Sequence, residues 1–116
     1  MASPYVVNIS INTSTSFTQS FTLSNENGST LNLSNYQIKS QLRKHPQSNS
    51  YINFITTAVS PPSGGVVKIS LEPNSTSSLK PGRYLYDIIL TNNSTGDKTK
   101  VIEGSAIVTK SITRDS

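Results

Sequence analysis

The sequence predicts an all-β protein folded as one antiparallel sandwich, and three observations carry that prediction. Apolar residues recur at every second position in several short runs, which is the period of a half-buried strand and differs from the 3.6 period of an amphipathic helix. Turn signals rich in Pro, Gly, Asn and Ser separate those runs at short intervals. Hydrophobic residues make up 33% of the 116 and charged ones 14%. The remainder is heavy in Ser, Thr and Asn, whose side chains compete with helical backbone and suit strands and turns. Almost no helix is expected, and residues 1–116 read as a single domain with mobile ends at 1–3 and 114–116 that lack apolar anchors.

Taken in order, the first strand is Tyr5 to Ile11, with Tyr5, Val7, Ile9 and Ile11 on one side. Phe17 to Leu23 is the second, its apolar side made by Phe17, Phe21 and Leu23 together with Gln19. Asn25-Glu-Asn-Gly28 turns the chain towards Leu31 and Leu33. In the third, Tyr36, Ile38, Ser40 and Leu42 point one way and Gln37, Lys39, Gln41 and Arg43 the other. His45 to Ser50 is a polar loop tip, and Tyr51 to Val59 is a β-branched and aromatic strand closed by Pro61-Pro-Ser-Gly-Gly65. Val66 to Leu71 buries Val67, Ile69 and Leu71 if Lys68 stays in water. Pro73 to Leu79 is the one plausible helical turn, capped by Asn74 or Ser75, with Leu79 tucked under the sheet.

The strongest strand signal follows the turn at Pro81-Gly82. There Tyr84, Tyr86, Ile88 and Leu90 share one face, and Leu85, Asp87 and Ile89 share the other. Large apolar groups on both faces imply a central strand covered on most of both sides. Tyr84 and Tyr86 are expected as core residues or as a tyrosine corner, in which a phenol bonds a backbone carbonyl and pins two sheets together. Asn92 to Gly96 then leads by hairpin into Lys98 to Glu103; Gly104 breaks that strand, and Ala106, Val108 and Ile112 form the last one. Seven to eight strands in this order describe an antiparallel sandwich of immunoglobulin-like type.

Chemistry has little to work with. There is no cysteine, which removes disulfides, thiolate metal sites and cysteine nucleophiles and fits a reducing compartment. His45 is the single histidine, and the six carboxylates are scattered singly, with no catalytic pairing and no metal-ligand spacing. No cofactor and no enzymatic activity are expected. Asp87, among apolar neighbours, needs a cation or backbone donors beside it. Ten basic against six acidic residues give a mildly basic chain. Lys39, Arg43, Lys44, Lys98 and Lys100 can gather into a patch, but the strand aromatics fall on the opposite side, which argues against nucleic acid and for a solvated face. No run reaches the length of a membrane span, and Met1-Ala-Ser-Pro4 lacks the features of a signal peptide.

Three stretches carry a family resemblance. They are Tyr36-x-Ile-x-Ser-Gln-Leu-Arg43; Val66-Val-Lys-Ile-Ser-Leu71 with the following Ser-Thr-Ser-Ser-Leu79-x-Pro-Gly-x-Tyr84-x-Tyr86-Asp87-Ile88; and Gly104-x-x-x-Val108-x-x-x-Ile112-Thr113-Arg114. In these the chain resembles the β-sandwich domain of tailed-phage virion proteins, including the N-terminal domains of upper-baseplate proteins. Those proteins continue into a stem and receptor-binding part, whereas this sequence stops two residues after Arg114. The resemblance therefore implies a small decoration or attachment subunit of the head, neck or tail, assembled in the host cytoplasm, whose partners are capsid, neck or tail proteins. It implies no catalytic residues. Low surface charge suits such packing, and the expected contacts are the loops of His45, Pro46 and Asn49 and of Asn92, Asn93 and Asp97, with the free protein a monomer or a weak small oligomer. A carbohydrate or host-surface module is the alternative, which an exposed cluster of Tyr5, Tyr51 and Asn-rich loops would favour.

Overall fold

Alternating apolar positions bury one side of each strand and leave the other to solvent, so two sheets close over one core. The computed structural model describes residues 5–24, 31–45, 47 and 51–112, apart from the side chain of Pro62. The strands are β1 (Tyr5–Val6), β2 (Ile9–Asn12), β3 (Phe17–Thr22), β4 (Tyr36–Arg43), β5 (Tyr51–Asn53), β6 (Ile55–Ala58), β7 (Val66–Leu71), β8 (Gly82–Asn92) and β9 (Lys98–Thr109), with one short helix, α1 (Pro73–Ser77). One sheet has the order β1-β9-β8-β4-β5 with β2 also on β9, and the other has the order β3-β7-β6. Pairing is antiparallel except where β1 and β2 run parallel to β9. The β3-β7-β6 sheet facing β9-β8-β4-β5 is the strand arrangement of an immunoglobulin-like sandwich.

Four local expectations need correction. Tyr5 to Ile11 is two strands, because the chain kinks at Val7 and Asn8 where Asn8 Oδ1 turns to accept the Ser105 N–H at 3.1 Å. Tyr51 to Val59 is also two: it leaves the larger sheet at buried Phe54 and joins the smaller one, the sheet-switching that corners of sandwiches require. Gly104 does not break β9, which runs through it to Thr109, so Ala106 and Val108 belong to that same strand and Ile112 lies beyond it, fully exposed. The glycine is there because a Cβ would collide with the Val7 carbonyl oxygen, so only a bare backbone lets the kinked first strand pass. Finally, α1 is capped by Glu72 with no side-chain cap bond, while its Thr76 hydroxyl donates to the Thr15 carbonyl at 2.8 Å.

The core is filled by the inward residues of both sheets, among them Ile11, Leu42, Val67, Ile69, Ile88, Leu90 and Val108. Leu79 is buried beneath the sheet. Ser40, 2% exposed, reaches the Asp87 carbonyl at 2.6 Å, so its hydroxyl is satisfied inside the core. The two tyrosines of β8 divide the expected roles. Tyr84, half-buried, donates to the Lys80 carbonyl four residues upstream at 2.9 Å and forms the tyrosine corner. Tyr86 lies in the core and donates to the Val7 carbonyl at 2.6 Å, tying the central strand to the kink in the first.

Candidate interaction surface

The second side of β8 is not covered as the sequence predicts. Leu85, Asp87 and Ile89 are half-buried and open outward, because the smaller sheet packs only on the other side. The register sets beside them Gln41 and Arg43 from β4, Lys100, Glu103 and Ser105 from β9, and Val6 from β1. Together they line a trough of about 590 Å³ along the middle of the six-stranded sheet. Val6, Tyr51 and Ile107 add exposed apolar surface at 70%, 49% and 41%.

A bulge builds the centre of this trough. Ile88 pairs with Ile102 but Ile89 with Lys100, so Val101 is the extra residue, and both Val101 and Ile102 are buried. In a regular strand, residues three apart lie on opposite faces. The bulge instead brings Lys100 and Glu103 to the same outer face, where the Lys100 ammonium lies 3.3 Å from Glu103 and 3.8 Å from Asp87. Asp87 and Glu103 sit directly opposite each other, a like-charge pairing that the lysine offsets. Burial pushes the Asp87 carboxyl above its ordinary value; Lys100 draws it back, Glu103 raises it further, and Arg43 lowers it. The cation expected beside Asp87 is thus Lys100.

A second set of contacts fixes the β4–β5 side. Arg43 Nη2 donates to Gln41 Oε1 at 2.8 Å, Gln41 Nε2 donates to Asn53 Oδ1 at 3.0 Å, and the Arg43 guanidinium lies 4.5 Å from the centre of the Tyr51 ring. Lys44 stands over the Tyr84 ring at 4.8 Å. Arg43, Lys44 and Lys100 are therefore engaged with rings, amides and carboxylates. Tyr5 and Tyr51 sit on the two outermost strands of the sheet, about 19 Å apart at about 4.8 Å per strand, and form no shared platform.

The loop residues picked from sequence separate. His45 is exposed just past one end of β4; Pro46 and Asn49 lie outside the described residues. Asn92, Asn93 and Asp97 lie at the other end, since Tyr36 pairs with Asn92 and Arg43 with Leu85. The length of β4, about 24 Å at about 3.4 Å per residue, stands between the two loops. Asn92 serves the turn itself: its Oδ1 accepts the Ser94 N–H at 2.9 Å and the Asn35 amide at 3.2 Å. Asn93 and Asp97 are exposed. Ile88, Leu90 and Tyr86 are core and Tyr84 is the corner; of the β8 residues singled out, Asp87 lies in the trough and buried Tyr86 also borders it. The residues missed, Lys100 and Glu103 as neighbours, had one signal: the adjacent aliphatics Val101-Ile102 between charged residues interrupt strict alternation.

No protein-family model matches the chain, and no curated protein does. Among solved structures it is similar to the N-terminal domain of phage TP901-1 ORF48, at a TM-score of 0.52 and 15% identity over 90% of this chain and 97% of that one. It is also similar to the NK cell receptor NKp44, at a TM-score of 0.46 and 13% identity over 93% and 100% of the chains. The Ig1-2 module of the Drosophila receptor protein tyrosine phosphatase DLAR matches at 0.46 and 10%, over 94% and 48%. The first of these likenesses supports the fold, an all-β sandwich shared with a phage protein domain.

Proposed function

We propose that this domain is a non-enzymatic structural subunit of a phage particle, a small decoration or attachment protein held on neighbouring virion proteins by the open face of its six-stranded sheet. The observation that carries the reading is that face: Val6, Leu85 and Ile89 flank a fixed Asp87–Lys100–Glu103 cluster in a trough of about 590 Å³. Apolar patches with a few prearranged polar groups are what a protein partner desolvates with gain, while the ion cluster sets its orientation. The likeness to the phage TP901-1 domain supplies the setting. Exposed Asn93, Asp97 and His45 lie at the two ends of the face and serve as its rim.

Particles of the phage that encodes the chain test this directly. The wild-type chain is expected in purified particles, and a chain carrying Val6→Lys and Ile89→Lys is expected to be lost from them while keeping the wild-type unfolding midpoint. Wild-type occupancy by that variant overturns the face. Absence of the wild-type chain from particles overturns the virion role.

A further inference from the structure

We propose that the free edge of β3 pairs with the β3 edge of a second copy of this chain, forming a two-fold dimer with one continuous six-stranded sheet. This proposal concerns the smaller sheet and does not rest on the docking face or on the virion setting. Strand β3 ends the order β3-β7-β6, and among the described residues no strand lies on its far side. Its outward backbone groups can be identified. The Leu23 N–H donates to the Gly65 carbonyl at 2.7 Å, in line with the register that pairs Phe17 with Leu71 and Phe21 with Val67. Backbone groups of alternate residues point the same way, so Phe17, Gln19 and Phe21 face β7 and Thr18, Ser20 and Thr22 face outward. In keeping with this, the Ser20 carbonyl is reached by the Gln19 side-chain amide at 3.5 Å.

This edge carries no charge, proline or bulge, three of the features that keep edges apart. From Ile11 to Ser24 there is no charged residue and no proline, and β3 pairs with β7 in unbroken register over six residues. The other edge strands are shorter: β1, β2, β5 and β6 hold two to four residues each. What selects a second copy is the sequence of the strand. Phe17-Thr-Gln-Ser-Phe21 reads nearly the same in both directions about Gln19. Antiparallel pairing about a two-fold axis there sets Phe17 against the partner's Phe21, Thr18 against the partner's Ser20 and Gln19 against its own copy. Thr18 and Ser20 are the outward residues, so their peptide groups form the hydrogen-bonded pairs of the new ladder. Gln19 is half-buried on the core-facing side between the two phenylalanines, and each amide offers the other both a donor and an acceptor. An unrelated strand could fill the edge, but it would have no use for the palindrome.

Sedimentation velocity of the full chain over a dilution series tests the proposal. The wild type is expected to be a reversible dimer. Ser20→Pro removes an N–H that β7 does not use, so it is expected to raise the dimer dissociation constant about tenfold or more while far-UV circular dichroism stays unchanged. Gln19→Lys and Gln19→Glu set like charges opposite each other and are each expected to be monomeric, whereas their equimolar mixture dimerises. The charge pair decides the matter if Ser20→Pro fails to fold. A wild type that stays monomeric at the highest soluble concentration overturns the proposal. So does a dimer that survives Gln19→Lys, or a mixture that stays monomeric.

Discussion

The bond from the Tyr86 hydroxyl to the Val7 carbonyl, at 2.6 Å, joins residues far apart in the chain and satisfies a carbonyl at the kink between β1 and β2. In antibody domains the position two residues after the corner tyrosine holds a disulfide cysteine. Here it holds Tyr86, whose ring meets Phe54 edge-on at 6.2 Å, and Phe54 meets Phe17 at 6.0 Å. Aromatic packing and one hydrogen bond thus occupy the place of the crosslink. Tyr86→Ala is expected to cost about 3 to 5 kcal/mol, Tyr86→Phe about 1 to 2 because the part-buried Val7 carbonyl loses its donor, and Lys98→Ala, at an exposed position, less than about 0.5, all read from urea titrations. Burial also pushes the Tyr86 phenol up to about 12 from 10.0. A folded-state value above the unfolded one means stability that is complete below pH 10 and lost as pH rises through about 12, amounting to about 2 to 3 kcal/mol. Tyr86→Phe should abolish that alkaline loss. At Asp87 the folded-state value is also raised, so its contribution is complete below the ordinary carboxylate range and fades as pH rises through the raised value. Asp87→Asn is therefore expected to match the wild type in acid and to equal or exceed it near neutrality by up to about 1 kcal/mol. A wild type clearly more stable than Asp87→Asn at neutral pH would show that Lys100 outweighs burial.

Strand β9 shows what an element adds to its residues. Its alternation was legible as far as Lys100, where the bulge at Val101 shifts the phase and turns Glu103 to the same face as Lys100. No local rule announces which adjacent aliphatic becomes the extra residue, because the choice is made by the fit of β8. Gly104 misled in the same way: its composition signal says break, and its cause is a crossing chain almost a hundred positions earlier, at Val7. The same long-range cause divides Tyr51–Val59 at Phe54, since a change of sheet depends on where the second sheet lies. By contrast, β3, β4, β7 and the inner side of β8 followed from two-residue periodicity alone, which put Tyr84 and Tyr86 on one face without saying which of them makes the corner. Gly104→Ala is expected to cost about 2 to 4 kcal/mol, because a Cβ in the Val7 carbonyl forces β1 off β9. Gly64→Ala, with nothing within 4 Å of its Cβ, is expected to lie within about 0.5 kcal/mol of wild type. Thermal unfolding of the pair checks this, and equal midpoints would mean that the crossing tolerates a methyl group.

At the scale of the whole molecule, the two sheets offer two surfaces of different character. The six-stranded sheet presents side chains: apolar groups around an ion cluster, on a face whose existence the sequence did not reveal because Leu85 and Ile89 look like core by residue type. The three-stranded sheet presents backbone, the uncharged edge of β3. With 14% of its residues charged, the chain spends little charge on keeping either surface apart from neighbours. The surfaces lie on opposite layers of the sandwich and share no residue, so they should respond independently to substitution. On the proposed virion role, the edge variant Gln19→Lys is expected to abolish self-association and leave incorporation into particles intact, and Val6→Lys with Ile89→Lys is expected to do the reverse. Both are measured on the same preparations, by sedimentation velocity and by occupancy in purified particles, with thermal unfolding to confirm that each variant is folded. If Gln19→Lys also empties the particle, the dimer is the form that attaches and the two surfaces act in sequence. If the face variant also abolishes the dimer, self-association runs through the six-stranded sheet, and the β3 edge has no part in it.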